Sequence, residues 1–181
     1  MVSQRESLNF KKDSSVQLLL VEPHDYSRAI TDLMRVFVKD DMTVIYVSIN
    51  KPATVIEEQL KESEIGTKGK LYFIDCATAA VNGESDRQGN KLYVSAQNLT
   101  GLSLTINELL DELPGKKAVV FDSMNALVVY NPLSTVEKFA HFISNKIRLK
   151  GSSGILISTS DLTRDLLTLL EGVCDKTIEY G

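Results

Sequence analysis

An α/β fold is the class this sequence predicts: a three-layer sandwich with a mainly parallel central sheet between helices. Three observations predict it. Short apolar runs rich in β-branched residues recur along the chain, as in strands covered on both faces. Segments with helical periodicity stand between them. The connections are mostly short, so strand and helix alternate in β-α-β order, and such units build parallel sheets.

In chain order, Val16 to Val21 reads as the first strand, followed by a polar turn and a helix with Ile30, Leu33, Met34 and Phe37 on its buried face. "TVIYVSI", Thr43 to Ile49, is the second strand, and Pro52 after Asn50 fits the first position of the next helix. "LYFID", Leu71 to Asp75, is the third. Between Ala77 and Gly101 the stretch "NGESDRQGNK" is polar, charged and glycine-bearing, and reads as a long mobile loop or a hairpin. Thr105-Ile-Asn-Glu108 matches a reciprocal capping box and so marks a helix start. "AVVFD", Ala118 to Asp122, is a strand, and Ser134-Thr-Val-Glu137 is a second capping box. It opens a helix that buries Val136, Phe139, Ala140, Ile143 and Ile147. "ILIST", Ile155 to Thr159, is the next strand, Gly172 fits a helix stop after "TRDLLTLLE", and Lys176 to Tyr180 closes the series.

With 181 residues, 43% of them hydrophobic, the chain can bury one core. We therefore expect one domain over residues 16–181, preceded by a mobile polar segment over 1–15, with no further domain after the last strand. The 20 basic and 24 acidic residues give a net charge of −4 without a basic block, which argues against nucleic acid as a partner. No apolar run approaches the roughly 20 residues of a membrane span, and the polar start "MVSQRESLNFKKDSS" lacks a signal-peptide core. A cytoplasmic protein with no membrane partner is the expectation. Cys76 and Cys174 sit in apolar contexts far apart, as buried free thiols do. The sequon Asn98-Leu99-Thr100 is then a chance match.

Ligands of parallel α/β sheets bind beyond the carboxyl ends of the strands. The residues there are Glu22, Asn50, Asp75, Asp122, Ser160 and Asp161. At these positions the chain resembles a known family. "LLLVEPHDYSRAITDLMRVF", "MTVIYVSINKPATVIEEQL", "LYFIDCAT", "KAVVFDSMNALVVY", "GSSGILISTS" and "CDKTIEYG" follow the order and spacing of the RecA-like ATPases of the KaiC branch. The resemblance runs from Val16 onward and implies a RecA-like core, with Asp122 at the metal-binding aspartate position of the second nucleotide motif. Family members assemble side by side with nucleotide between subunits.

The departures from that pattern matter more than the match. A phosphate loop follows GxxxxGK[ST]: glycines let amides converge on the phosphates, lysine adds charge and a hydroxyl holds magnesium. Here Glu22 stands at the first glycine, Ser27 at the second, Arg28 at the lysine and Ala29 at the hydroxyl residue. Glu22 and Asp25 put carboxylates where the family binds an anion, and no glycine is present to form a nest of amides. After the second strand, where the family carries glutamates, the chain reads "SINKP", without the residue that activates water. The degenerate nucleotide positions are thus Ser27, Arg28 and Asp122.

The expectation is a regulatory or scaffold protein that has lost ATPase activity and needs no cofactor. Its expected partner is a protein, either a second copy or an active relative. Unconventional binding of ATP with magnesium is the alternative. No metal site is assigned; Glu22, Asp75 and Asp122, with Asp161, are the carboxylates that could converge on magnesium for other phosphate chemistry. The first motif is also similar to a phosphate-accepting receiver domain, with Glu22, Asp25 and Asp75 as its acidic residues, but the spacing from Glu22 to Asp75 is too long and two strands are left misplaced. Each site residue has a plainer reading. Asp122, beside Ser123 and Asn125, can organise a turn, and Asp25 or Ser27 can cap the first helix. His24 and His141 have no Cys or His near them to form a metal site, and no serine lies in a GxSxG elbow.

Overall fold

The computed structural model describes residues 8–181. In chain order the elements are β1 (Val16–Val21), a 3-10 turn at Pro23–Asp25, α1 (Tyr26–Lys39), β2 (Thr43–Ser48), α2 (Ala53–Glu62), β3 (Leu71–Asp75), α3 (Cys76–Asn82), β4 (Ser85–Gln88), β5 (Lys91–Tyr93), α4 (Leu99–Glu112), β6 (Lys117–Asp122), α5 (Met124–Tyr130), α6 (Leu133–Leu149), β7 (Ser153–Thr159), α7 (Arg164–Val173) and β8 (Lys176–Tyr180). The strands form one sheet in the order β4-β5-β3-β2-β6-β7-β1-β8. Every neighbouring pair is parallel except the β4–β5 hairpin.

The buried side chains divide by strand alternation. Leu19, Val21, Val44, Tyr46, Val120 and Ile157 meet α1 and α2 on one face, through Ile30, Leu33, Met34, Phe37, Ile56 and Leu60. On the other, Leu18, Ile45, Val47, Phe121 and Leu156 meet α4 to α7. The result is an α/β/α sandwich with a mainly parallel sheet. No helix of the described residues is long and apolar enough to cross a membrane.

Several local expectations are corrected. α4 starts at Leu99, so Thr105 is interior rather than a cap; Asn98 is the N-cap, accepting from the Gly101 amide at 2.9 Å. α6 starts before Ser134, with Pro132 at the N-cap, its fixed φ of −57° leading the chain into the helix. Pro52 likewise precedes α2 at the N-cap. Gly172 lies within α7, and the extended Cys174 ends that helix. The stretch after Ala77 holds the end of α3 and then the hairpin, whose turn uses Gly89 at φ +61°, a conformation that glycine adopts without Cβ strain. Cys174 is half-buried rather than buried.

Residues 1–7 of the expected N-terminal segment lie outside the described residues. Within residues 8–15, Phe10 and Ser15 are buried and most of the others are exposed. Phe10 is buried against Phe37, ring centroids 6.3 Å apart, and Gln17 exchanges hydrogen bonds with the Lys11 backbone.

Candidate functional site

The site lies at the carboxyl ends of β1, β2 and β6. In the β2–β6 register Tyr46 pairs with Val120 and Ser48 with Asp122. Residues two apart on a strand share a face, so Tyr46 and Asp122 both look toward α1. That helix opens with Tyr26, held close by the short turn after β1.

Asp122 is only 4% exposed, and both of its carboxylate oxygens are taken. Tyr26 donates its hydroxyl to Oδ1, and Tyr46 donates to Oδ2 at 2.5 Å. Charged acceptors of this kind make the stronger hydrogen bonds. Burial pushes the Asp122 carboxyl above its ordinary value, and the two phenols oppose that shift. Burial first, then the neighbouring Asp122 charge, holds both tyrosines protonated far above the usual phenol range. The trio is therefore a closed hydrogen-bonded unit in which both phenols keep their protons at neutral pH. A magnesium ion needs oxygen ligands at about 2.1 Å in octahedral array. Each Asp122 oxygen already accepts one phenol hydroxyl, so a metal would have to share this buried carboxylate with Tyr26 and Tyr46.

Other polar groups here are also engaged in holding loops. The Asn50 amide reaches the Ser123 hydroxyl at 3.4 Å, and Asn125 accepts from the Ser158 hydroxyl at 3.1 Å and the Thr159 amide at 3.3 Å. The Asp122–Ser123 peptide is cis.

The remaining predicted residues are dispersed. Asp75 is buried as a double cap: it accepts from the Ala53 amide that begins α2, and from the Thr78 amide and hydroxyl in α3, all at 2.7 to 2.8 Å. Glu22 is exposed beside the 3-10 turn. Among the described residues no three acidic, His or Cys side chains form a group able to hold a metal ion, so Glu22, Asp75, Asp122 and Asp161 do not converge as the carboxylate alternative requires. Asp75 and Asp122 point to separate tasks.

Ser27 is exposed; its backbone carbonyl accepts from Gln59 at 2.7 Å and from Thr31 at 2.9 Å. Arg28 turns away from Asp122 toward the sheet edge. Its guanidinium pairs with Asp25 at 2.7 Å, donates to the Tyr180 hydroxyl at 3.2 Å and lies 5.6 Å from that ring's centre. Tyr180 in turn donates to Asp32 at 2.6 Å. Asp25 stands at the N-cap of α1, as its plainer reading expects, but its side chain serves Arg28 rather than the helix amides.

Tyr26 and Tyr46 are the residues that sequence reasoning missed. A signal existed: Tyr46 lies inside a strand buried at every position, and a buried phenol needs an acceptor.

The mainly parallel sheet and its covering helices define the fold class. In structural comparison the chain is similar to a KaiC-like protein from the hyperthermophilic archaeon Pyrococcus horikoshii OT3, at 12% identity and a TM-score of 0.68, over 92% of this chain and 72% of that one. It is similar too to an uncharacterised protein from Pyrococcus horikoshii determined in complex with an unknown peptide, at 16% identity and a TM-score of 0.69, over 94% and 78% of the two chains. The fold is RecA/KaiC-like. By sequence the chain belongs to DUF7504, a family of unknown function, which matches residues 16–180. No curated protein matches it.

Proposed function

We propose that this protein is a RecA/KaiC-like domain without ATPase chemistry, acting through protein–protein contact as a regulatory or scaffold component. The observation that carries the reading is the pair of tyrosine hydroxyls on Asp122. They occupy the carboxylate at the position where the resembled ATPases hold magnesium. Two features of the chain agree. The turn after β1 offers neither glycine nor lysine to a phosphate, and its one arginine is spent on Asp25 and Tyr180. The turn after β2, "SINKP", has no carboxylate to activate water.

A chain of this kind keeps the shape of an assembling ATPase while its own site is silent. It pairs with a second copy or with an active relative and biases that relative's assembly. One structural neighbour is described in complex with a peptide, and protein binding is the use proposed here for this chain as well. Size-exclusion chromatography with light scattering tests the reading: a dimer, or a mixed complex with an active relative, is expected. A strict monomer that forms no mixed complex contradicts it.

A further inference from the structure

On the face of the sheet opposite Asp122, α4 and α6 leave an apolar groove of about 410 Å³ between them. Phe139 forms its buried floor and stacks edge-on against Phe121 of β6, at 5.8 Å between ring centres. Leu104 and Phe142 stand on its two walls, 60% and 57% exposed. Leu149, 85% exposed, continues the Phe142 stripe two turns further along α6. Large apolar groups exposed side by side in a concavity mark an interaction surface rather than ordinary scattered exposure.

The rim fixes what fits. Lys138 and Lys146 line the groove about 12 Å apart along α6, and neither takes part in an ion pair among the described residues. Two cations outside any direct ion pair, of which the half-buried Lys146 also feels the nearby Asp111 charge, are thus presented by a protein whose net charge is −4. Along α6 the lining runs from Thr135 to Lys146, roughly 17 Å, or about three helical turns. A trough of that length between two helices accepts a third helix with apolar anchors at i, i+3, i+4 and i+7. An anionic membrane surface would meet a convex patch better than a trough.

We propose that the α4–α6 groove docks an acidic amphipathic helix of a partner protein, with leucine-like anchors on Phe139, Phe142 and Leu104 and carboxylates on Lys138 and Lys146. This rests on the protein-interaction half of the function proposed above and gives it a place and a partner chemistry. The contact does not involve the Asp122 face.

Fluorescence polarisation on the full chain tests it. The probe is a labelled helical peptide of about 16 residues, with leucines at the anchor spacing and flanking glutamates; a second peptide carries lysines in their place. The glutamate peptide is expected to bind saturably, more weakly at high salt, and at least about tenfold more weakly to Phe142→Glu. The double variant Lys138→Glu/Lys146→Glu should reverse the preference toward the lysine peptide. Phe142 and Lys138 are exposed and Lys146 is half-buried at the rim, so the fold should survive; if Phe142→Glu loses its melting transition, Leu104→Glu on the other wall replaces it. The proposal is overturned by no saturable binding, by equal binding of both peptides, by affinity indifferent to the wall variants, or by phosphatidylglycerol vesicles binding in preference. Failure here with a melting temperature indifferent to ATP and magnesium removes the groove alone, whereas an ATP-dependent rise removes the silent-site reading and leaves the peptide result standing.

Discussion

Asp122, Tyr26 and Tyr46 act as one unit at the residue scale. Replacing Tyr46 by Phe leaves Oδ2 of a buried carboxylate without a donor, and an unsatisfied buried polar group costs about 1–3 kcal/mol. We expect Tyr46→Phe to lose stability of that size in urea unfolding; an unchanged midpoint contradicts the contact. The phenols also set an alkaline limit. Their folded values lie well above the ordinary 10.0, so the folded state keeps protons that the unfolded chain releases once the pH passes that value. Stability is then fully present below about pH 10 and is lost as pH rises further. The thiols of Cys76 and Cys174, pushed up to about 12 by burial, add a similar loss that begins near their ordinary 9.0. Melting temperatures from pH 8 to 11 should fall less steeply for Tyr26→Phe/Tyr46→Phe than for the parent; parallel slopes contradict the assignment. The site was legible in part. Asp122 and the turn after β1 stand out in sequence, but the tyrosines that close the aspartate come from another strand and from a helix start, contacts that no local motif encodes.

At the scale of elements, the strands were legible because each is a short apolar run with a polar end, and Leu71–Asp75 and Lys176–Tyr180 fall where the sequence places them. Helix starts were less legible. Thr105 and Ser134 carry the capping-box pattern, yet Asn98 and Pro132 begin those helices further upstream, because the tertiary position of the preceding chain decides which residue first turns. Asp75 shows the same logic at work on two helices: one carboxylate receives the first amide of α2 and caps α3. Asp75→Ala should cost about 2–3 kcal/mol in urea unfolding, since hydrogen bonds to a charged acceptor are the costlier ones to lose; a loss under half of that would mean that water replaces the cap. Phe10, in a stretch that composition reads as polar and mobile, is buried against α1. Phe10→Ala should therefore destabilise by about 3 kcal/mol, whereas an unchanged midpoint would mean that the segment does not hold α1.

For the whole molecule, the parallel strands run in the order β3-β2-β6-β7-β1-β8, and their carboxyl ends carry a closed carboxylate and an arginine turned to the sheet edge. Fold class and strand identity follow from periodicity and connection length. The strand order does not, since nothing local says that β1 lies between β7 and β8. Whether the tyrosine hydroxyls on Asp122 have closed a nucleotide site is answered by melting temperatures with ATP, ADP and GTP, each with and without magnesium. A ligand at 100 times its Kd stabilises by about 2.7 kcal/mol, a rise of roughly 5–10 °C for a chain of this size. No shift is expected with any nucleotide, whereas a magnesium-dependent rise with ATP would mean that the site still takes a nucleotide and that the silent-site reading is wrong.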